Sequence, residues 1–171
     1  MHYKKSFSIF IFLLTSLISN KIFAQEVSKL SQHGQWTAYS YTDDSGPVCY
    51  MVSEPRSARG KYTRRGDIFA LVTHRPKDNA TDVVSIVAGY PYKDNSDVNI
   101  RIGSNIFSLF THGERAWNRD EESDKKMVRA MIKGTTMEVK GTSSRGTLTT
   151  DSYSLNGFTA AHRTITKKCS S

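Results

Sequence analysis

Two cysteines, Cys49 and Cys169, are all that the 171-residue chain contains, and neither has a second cysteine or a histidine at ligand spacing. Zinc-finger and Cys-x-x-Cys redox chemistry therefore have no basis here. The chain also lacks H-E-x-x-H, G-x-S-x-G and any glycine-rich phosphate loop, which removes the reaction classes those motifs serve. Repeats and low-complexity segments are missing, and no second long apolar run follows the first. Nothing in this pattern asks for a metal or a cofactor.

The first 24 residues are organised differently from the rest. Lys4 and Lys5 precede a nearly unbroken apolar run from Ser6 to Ser19, and Ile22-Phe23-Ala24 sets a small residue before Gln25. Charge, apolar stretch and small-residue cleavage site in that order predict a cleaved signal peptide. The run is short of the ~20 residues that a spanning helix needs. Cleavage would leave residues 25–171, a length that suits a single domain with a core of its own. No acid occurs among the first 24 residues, so losing Lys4, Lys5 and Lys21 takes the formal net charge from +8 to +5. That is enough to favour anionic partners and too little for a nucleic-acid binder. In an exported protein the lone cysteine pair reads as a disulfide between Cys49 and Cys169, with Cα atoms about 4.4–6.8 Å apart.

The expected mature chain is a succession of short strand-like segments. Trp36–Tyr41 and Val48–Ser53 flank a turn cluster, and Asp67–His74 and Asp82–Ala88 are apolar on both faces, as central strands are. Val98–Ile102 and Ile106–Thr111 read as a hairpin around Gly103-Ser104-Asn105, and further strands are expected at Thr135–Lys140 and Thr147–Leu155. One helix is predicted over Glu121–Lys133, with acids in its first turn, Met127, Ala130 and Met131 on one side, and Gly134 at its end. A second is predicted from Phe158 to about Thr166. Seven or eight such strands with one or two short helices imply a mainly β fold, a β-sandwich.

Two segments carry candidate chemistry. Arg56, Arg59, Lys61, Arg64 and Arg65 lie between Pro55 and Gly66 without an intervening acid, and the prolines and glycines read as a loop. As a function, this is a contact patch for an anionic surface; as plain structure, it is a solvated loop. Ser143, Ser144 and Arg145 sit in a Gly- and Ser-rich link between two strands, either an anion nest of backbone amides or an ordinary hairpin loop. His33, His74, His112 and His162 stand apart in sequence, and Asp67, Asp82 and Asp151 read as capping or turn residues at strand edges.

Gln35-Trp36-Thr37-Ala38-Tyr39, Val48-Cys49-Tyr50-Met51, Leu71-Val72-Thr73-His74-Arg75-Pro76 and Val87-Ala88-Gly89-Tyr90-Pro91 resemble one family in order and spacing. Ala116-Trp117, Lys140 to Thr147, Tyr153-Ser154-Leu155 and Gly157 to Ala161 continue the match. The family is the invasion-associated locus B family of exported bacterial proteins. The resemblance implies a single immunoglobulin-like β-sandwich in the cell envelope, a link to host-cell entry and virulence, and no catalytic residues.

Together these readings predict an exported, non-enzymatic envelope protein of the periplasm, outer membrane or cell surface. Its partner would be an envelope or host component, an anionic one being what the basic charge favours, and not nucleic acid. A housekeeping role in envelope integrity is the alternative. An envelope enzyme, with a site drawn from His74, His112, Asp67 or Ser143, is a further one.

Overall fold

Alternation of apolar and polar residues decides most of this architecture. In the computed structural model residues 26–170 are described; the expected signal peptide lies outside them. The strands are β1 (Ser28–His33), β2 (Trp36–Asp43), β3 (Gly46–Ser53), β4 (Ser57–Gly60), β5 (Phe69–Arg75) and β6 (Ala80–Val87). They continue as β7 (Asp97–Ile102), β8 (Asn105–His112), β9 (Arg115–Trp117), β10 (Thr136–Thr142) and β11 (Leu148–Ser154). Helix α1 (Glu121–Lys133) precedes β10, and helix α2 (Phe158–Cys169) is the last described element.

All pairings between these strands are antiparallel. They form one continuous sheet in the order β1-β2-β3-β5-β6-β9-β8-β7-β10-β11-β4. Only the short Glu54–Arg56 link separates β3 from β4, yet these strands stand near opposite ends of that order. The sheet must therefore curl back on itself, and its inner faces enclose the core as in a sandwich. Trp36 shows the closure directly: its Nε1 donates to the carbonyl of Ser154 on β11 at 3.0 Å, and its ring meets Phe158 edge-on at 4.9 Å. The expected mainly β sandwich with two short helices is what forms. Three short strands, β1, β4 and β9, join those the sequence pattern predicts.

Alternating residues face inward along the strands, such as Val98, Ile100 and Ile102 on β7 and Trp36, Ala38 and Ser40 on β2. Helix α1 starts where Asp120 accepts the Ser123 amide at 2.7 Å, and it buries Met127, Val128 and Met131. Gly134 does end it, but with φ −85° and not in the left-handed region expected of a glycine cap. A Cβ there would lie 2.7 Å from Ile102 Cγ2 and 2.9 Å from Leu155 Cδ1, so close packing explains the residue. Helix α2 buries Phe158, Ala161 and Ile165 in the spacing expected, and it lies across β1, β2, β3 and β5.

Cys49 and Cys169 are bonded, with Cα atoms 6.0 Å apart and a sequence separation of 120 residues. The bridge ties the last turn of α2 to the middle of β3. Replacing both cysteines with serine should lower unfolding stability in urea by about 2–5 kcal/mol, because the unfolded chain loses a long closed loop. Thiol titration of the unreduced protein should find no free sulfhydryl.

Candidate functional site

The basic segment does not fold as one loop. Ser57–Gly60 becomes the edge strand β4, paired with β11, and carries Arg59; exposed Arg56 lies just before it. The remainder, from Lys61 to Gly66, forms one wall of a cavity of about 510 Å³. A second wall is the β10–β11 turn, including Ser143, Ser144 and Arg145, so the two segments singled out in the sequence meet here. Gly89, Tyr90, Pro91, Glu114 and Thr149 complete the lining.

Backbone pairing holds these walls together. The Gly66 amide donates to Gly89 O at 2.8 Å, the Ser144 amide to Pro91 O at 2.8 Å and the Tyr92 amide to Gly113 O at 2.8 Å. Gly89 has φ +69°, and a Cβ there would run into the backbone of Gly66 and Asp67. A left-handed residue without a side chain is required at that crossing.

Arg65 is the one basic residue of the segment that does not project into solvent. Its side chain is 4% exposed, and its two terminal nitrogens each donate to an oxygen of Asp151, itself 3% exposed, at 2.6 Å. Its Nε donates to Ala88 O at 2.7 Å, and its guanidinium stacks on Tyr90 and Tyr62, 4.9 and 5.4 Å from the ring centroids. The fork geometry of arginine matches a carboxylate in two bonds at once, which lysine could not do. Five solvent-projecting charges were expected; a structural carboxylate takes this one. Asp151 is accordingly a buried partner in mid-strand and no strand-edge cap. Arg56, Arg59, Lys61, Arg64 and Arg145 have no side-chain partner among the described residues.

The turn is not a nest. The Ser143 amide donates to Thr147 O at 2.9 Å, the Gly146 amide to Ser143 O at 2.8 Å, and the Thr147 amide to Ser143 Oγ at 3.1 Å. With the Ser144 amide on Pro91, four amides of the turn are already occupied. Ser143 shapes the loop, while Ser144 and Arg145 are exposed beside the cavity.

A second cluster, missed in the sequence, lies between α2, β5 and the start of β6. His74 and His162, which stand apart in sequence, meet around Asp82. His162 Nε2 lies 2.6 Å from Asp82 Oδ1, and the Asp82 amide donates to His74 Nδ1 at 3.0 Å. Asp82 has φ +59°, a left-handed conformation uncommon outside glycine but tolerated best by aspartate and asparagine, and its amide meets the ring. Because Nδ1 accepts, the proton of neutral His74 sits on Nε2, which faces Thr166 Oγ1 at 3.1 Å. That nitrogen has no free lone pair for a cation. Thr166 donates its own hydroxyl proton to His162 O at 2.9 Å, so it is no nucleophile awaiting a base. The cluster fastens helix to sheet. His112 and Asp67 are exposed and take no part in it.

Burial pushes the His74 pKa below the ordinary histidine value; Asp82 opposes the shift and the nearby His162 adds to it. Asp82 is also buried, which acts to raise its pKa, but the bond and charge of His162, with the charges of His74 and Lys125, together outweigh burial and lower it. A histidine depressed in the folded state takes up fewer protons than in the unfolded chain. Its contribution is present above about pH 6.5 and is lost as pH falls from there through the folded pKa. The melting temperature should therefore drop on acidification from about pH 7.5 to about pH 5, and less so in His74→Gln.

Arg65→Ser should cost about 3–5 kcal/mol in urea unfolding, since it strands a buried carboxylate. Arg64→Ser, one residue away and exposed, should change stability by less than about 0.5 kcal/mol.

A family model described as "Invasion associated locus B (IalB) protein" matches residues 36–166. No curated protein matches the chain. A solved structure, the crystal structure of invasion associated protein B from Bartonella henselae, superposes with a TM-score of 0.57 at 15% identity. The match covers 82% of this chain and 98% of that one, and at such identity it speaks for the fold alone. With most of its sandwich inside the family match, this chain belongs to the invasion-associated locus B family.

Proposed function

We propose that this protein is exported and serves in the bacterial envelope as a non-catalytic binding protein, contacting an anionic envelope or host component in support of host-cell interaction and virulence. The observation that carries the reading is the cavity: Lys61 and Arg64 on one wall and Arg145 on the other, all without partners, against the single carboxylate of Glu114. The signal-like N-terminus and the Cys49–Cys169 bridge support export to an oxidising compartment. Binding fits the site better than catalysis, because the cavity holds no general base hydrogen-bonded to a nucleophile. In the histidine cluster, the groups that could act are held to one another.

The role is tested in cells. The Lys61→Ser/Arg64→Ser/Arg145→Ser variant should begin at Gln25 in its mature form and keep the wild-type melting temperature. It should fail to restore host-cell entry to a deletion strain while fully restoring detergent resistance. A deletion that is detergent-sensitive, rescued in both respects by the variant, would mean that the protein maintains the envelope and that the cavity has no part in entry.

A further inference from the structure

We infer that the cavity takes a segment of acidic polysaccharide, its carboxylate or sulfate groups meeting Lys61, Arg64 and Arg145 and its sugar rings lying against Tyr62 and Tyr90. The inference rests on the anionic-partner reading above and narrows it to one ligand class.

Three features select this ligand. Four backbone amides of the β10–β11 turn are already bonded within the protein, so a compact anion such as phosphate finds no cradle of N–H groups there. The free cations come from two different segments of the lining, Lys61 and Arg64 from one and Arg145 from the β10–β11 turn, which suits charges carried along a chain. They also surround a concavity, which a flat bilayer surface would leave empty and a single extended chain would fill.

The aromatic lining adds the second half of the recognition. Tyr62 and Tyr90 both face the cavity, and both are fixed before any ligand arrives. The Tyr62 hydroxyl donates to Ala58 O at 2.9 Å, the Tyr90 hydroxyl lies 2.6 Å from Thr149 Oγ1, and Arg65 stacks on both rings. Flat rings held in place offer apolar area to the C–H faces of sugars with little ordering cost on binding. A purely electrostatic patch would need no such rings.

Titration calorimetry on the mature protein would use three probes: a heparin-derived hexasaccharide, a neutral maltohexaose and phosphatidylglycerol vesicles. The acidic hexasaccharide should bind at least about tenfold tighter than the neutral one. Its affinity should fall several-fold between about 50 mM and about 300 mM salt. Arg64→Ser/Arg145→Ser should weaken it about tenfold or more with the melting temperature unchanged, and Tyr62→Leu, which removes the ring and its bond to Ala58 O but keeps an apolar side chain, about fivefold in a protein that is still folded. Equal binding of the neutral hexasaccharide, or wild-type affinity in a folded Tyr62→Leu variant, overturns the glycan assignment. Vesicle binding that depends on Arg64 and Arg145, without hexasaccharide binding, overturns it while leaving the anionic-partner reading in place. Should none of the probes bind, both fall.

Discussion

The candidate site depends on a single ion pair. Arg65 and Asp151 come from distant parts of the chain, and both are almost fully buried. Desolvating two charges is expensive, and their attraction repays that only when the remaining donors are also satisfied. Here they are: both terminal nitrogens reach the carboxylate, Nε reaches Ala88 O, and two tyrosine rings cover the guanidinium. The pair anchors the Lys61–Gly66 wall to β11 and to the end of β6. Without it, Lys61 and Arg64 would be held only by the pairing of β4 with β11 on one side and the Gly66–Gly89 backbone bond on the other.

The same economy of anchors holds the other end of the molecule. Helix α2 is the last of the described elements. It is fastened by Phe158 against Trp36, by the His74–Asp82–His162 cluster, and by the Cys49–Cys169 bridge in its final turn. The unusual backbone at Asp82 belongs to this fastening, since it directs one amide to His74 and one carboxylate to His162. An arrangement that resembles a metal site by composition is closed to a cation by its hydrogen bonds. Proton position, more than residue type, decides between the two.

The cavity and the cluster illustrate two different demands on a β-sandwich. Loops at the rim of a sheet can carry charge at low cost because solvent screens it. A residue inside the rim must be paired, and Arg65 is the member of the basic run that crosses from the first situation to the second. Arg64 and Arg65 are neighbours of the same kind with opposite roles, one free beside the cavity and the other part of its frame.

Periodicity in the sequence determined the elements with strong local signals. Helix α1 forms over Glu121–Lys133 as its acids and methionine spacing dictate, and β2, β3, β7, β8 and β11 fall where alternation places them. The cysteine pairing was legible too, because two residues allow one bridge. Strands β1, β4 and β9 were not legible, since short polar segments such as Ser57–Gly60 become strands only when a neighbour supplies the hydrogen bonds. The meeting of the basic segment with the Ser143–Arg145 turn, the burial of Arg65 on Asp151 and the gathering of His74 and His162 around Asp82 were decided by tertiary structure alone. Except for His74 and Asp82, which lie 8 residues apart across the β5–β6 connection, the segments that meet are some 80 residues or more apart. Local sequence states what each side chain could do; only the curl of the sheet determines which side chains meet, and burial then determines which charges remain free to bind.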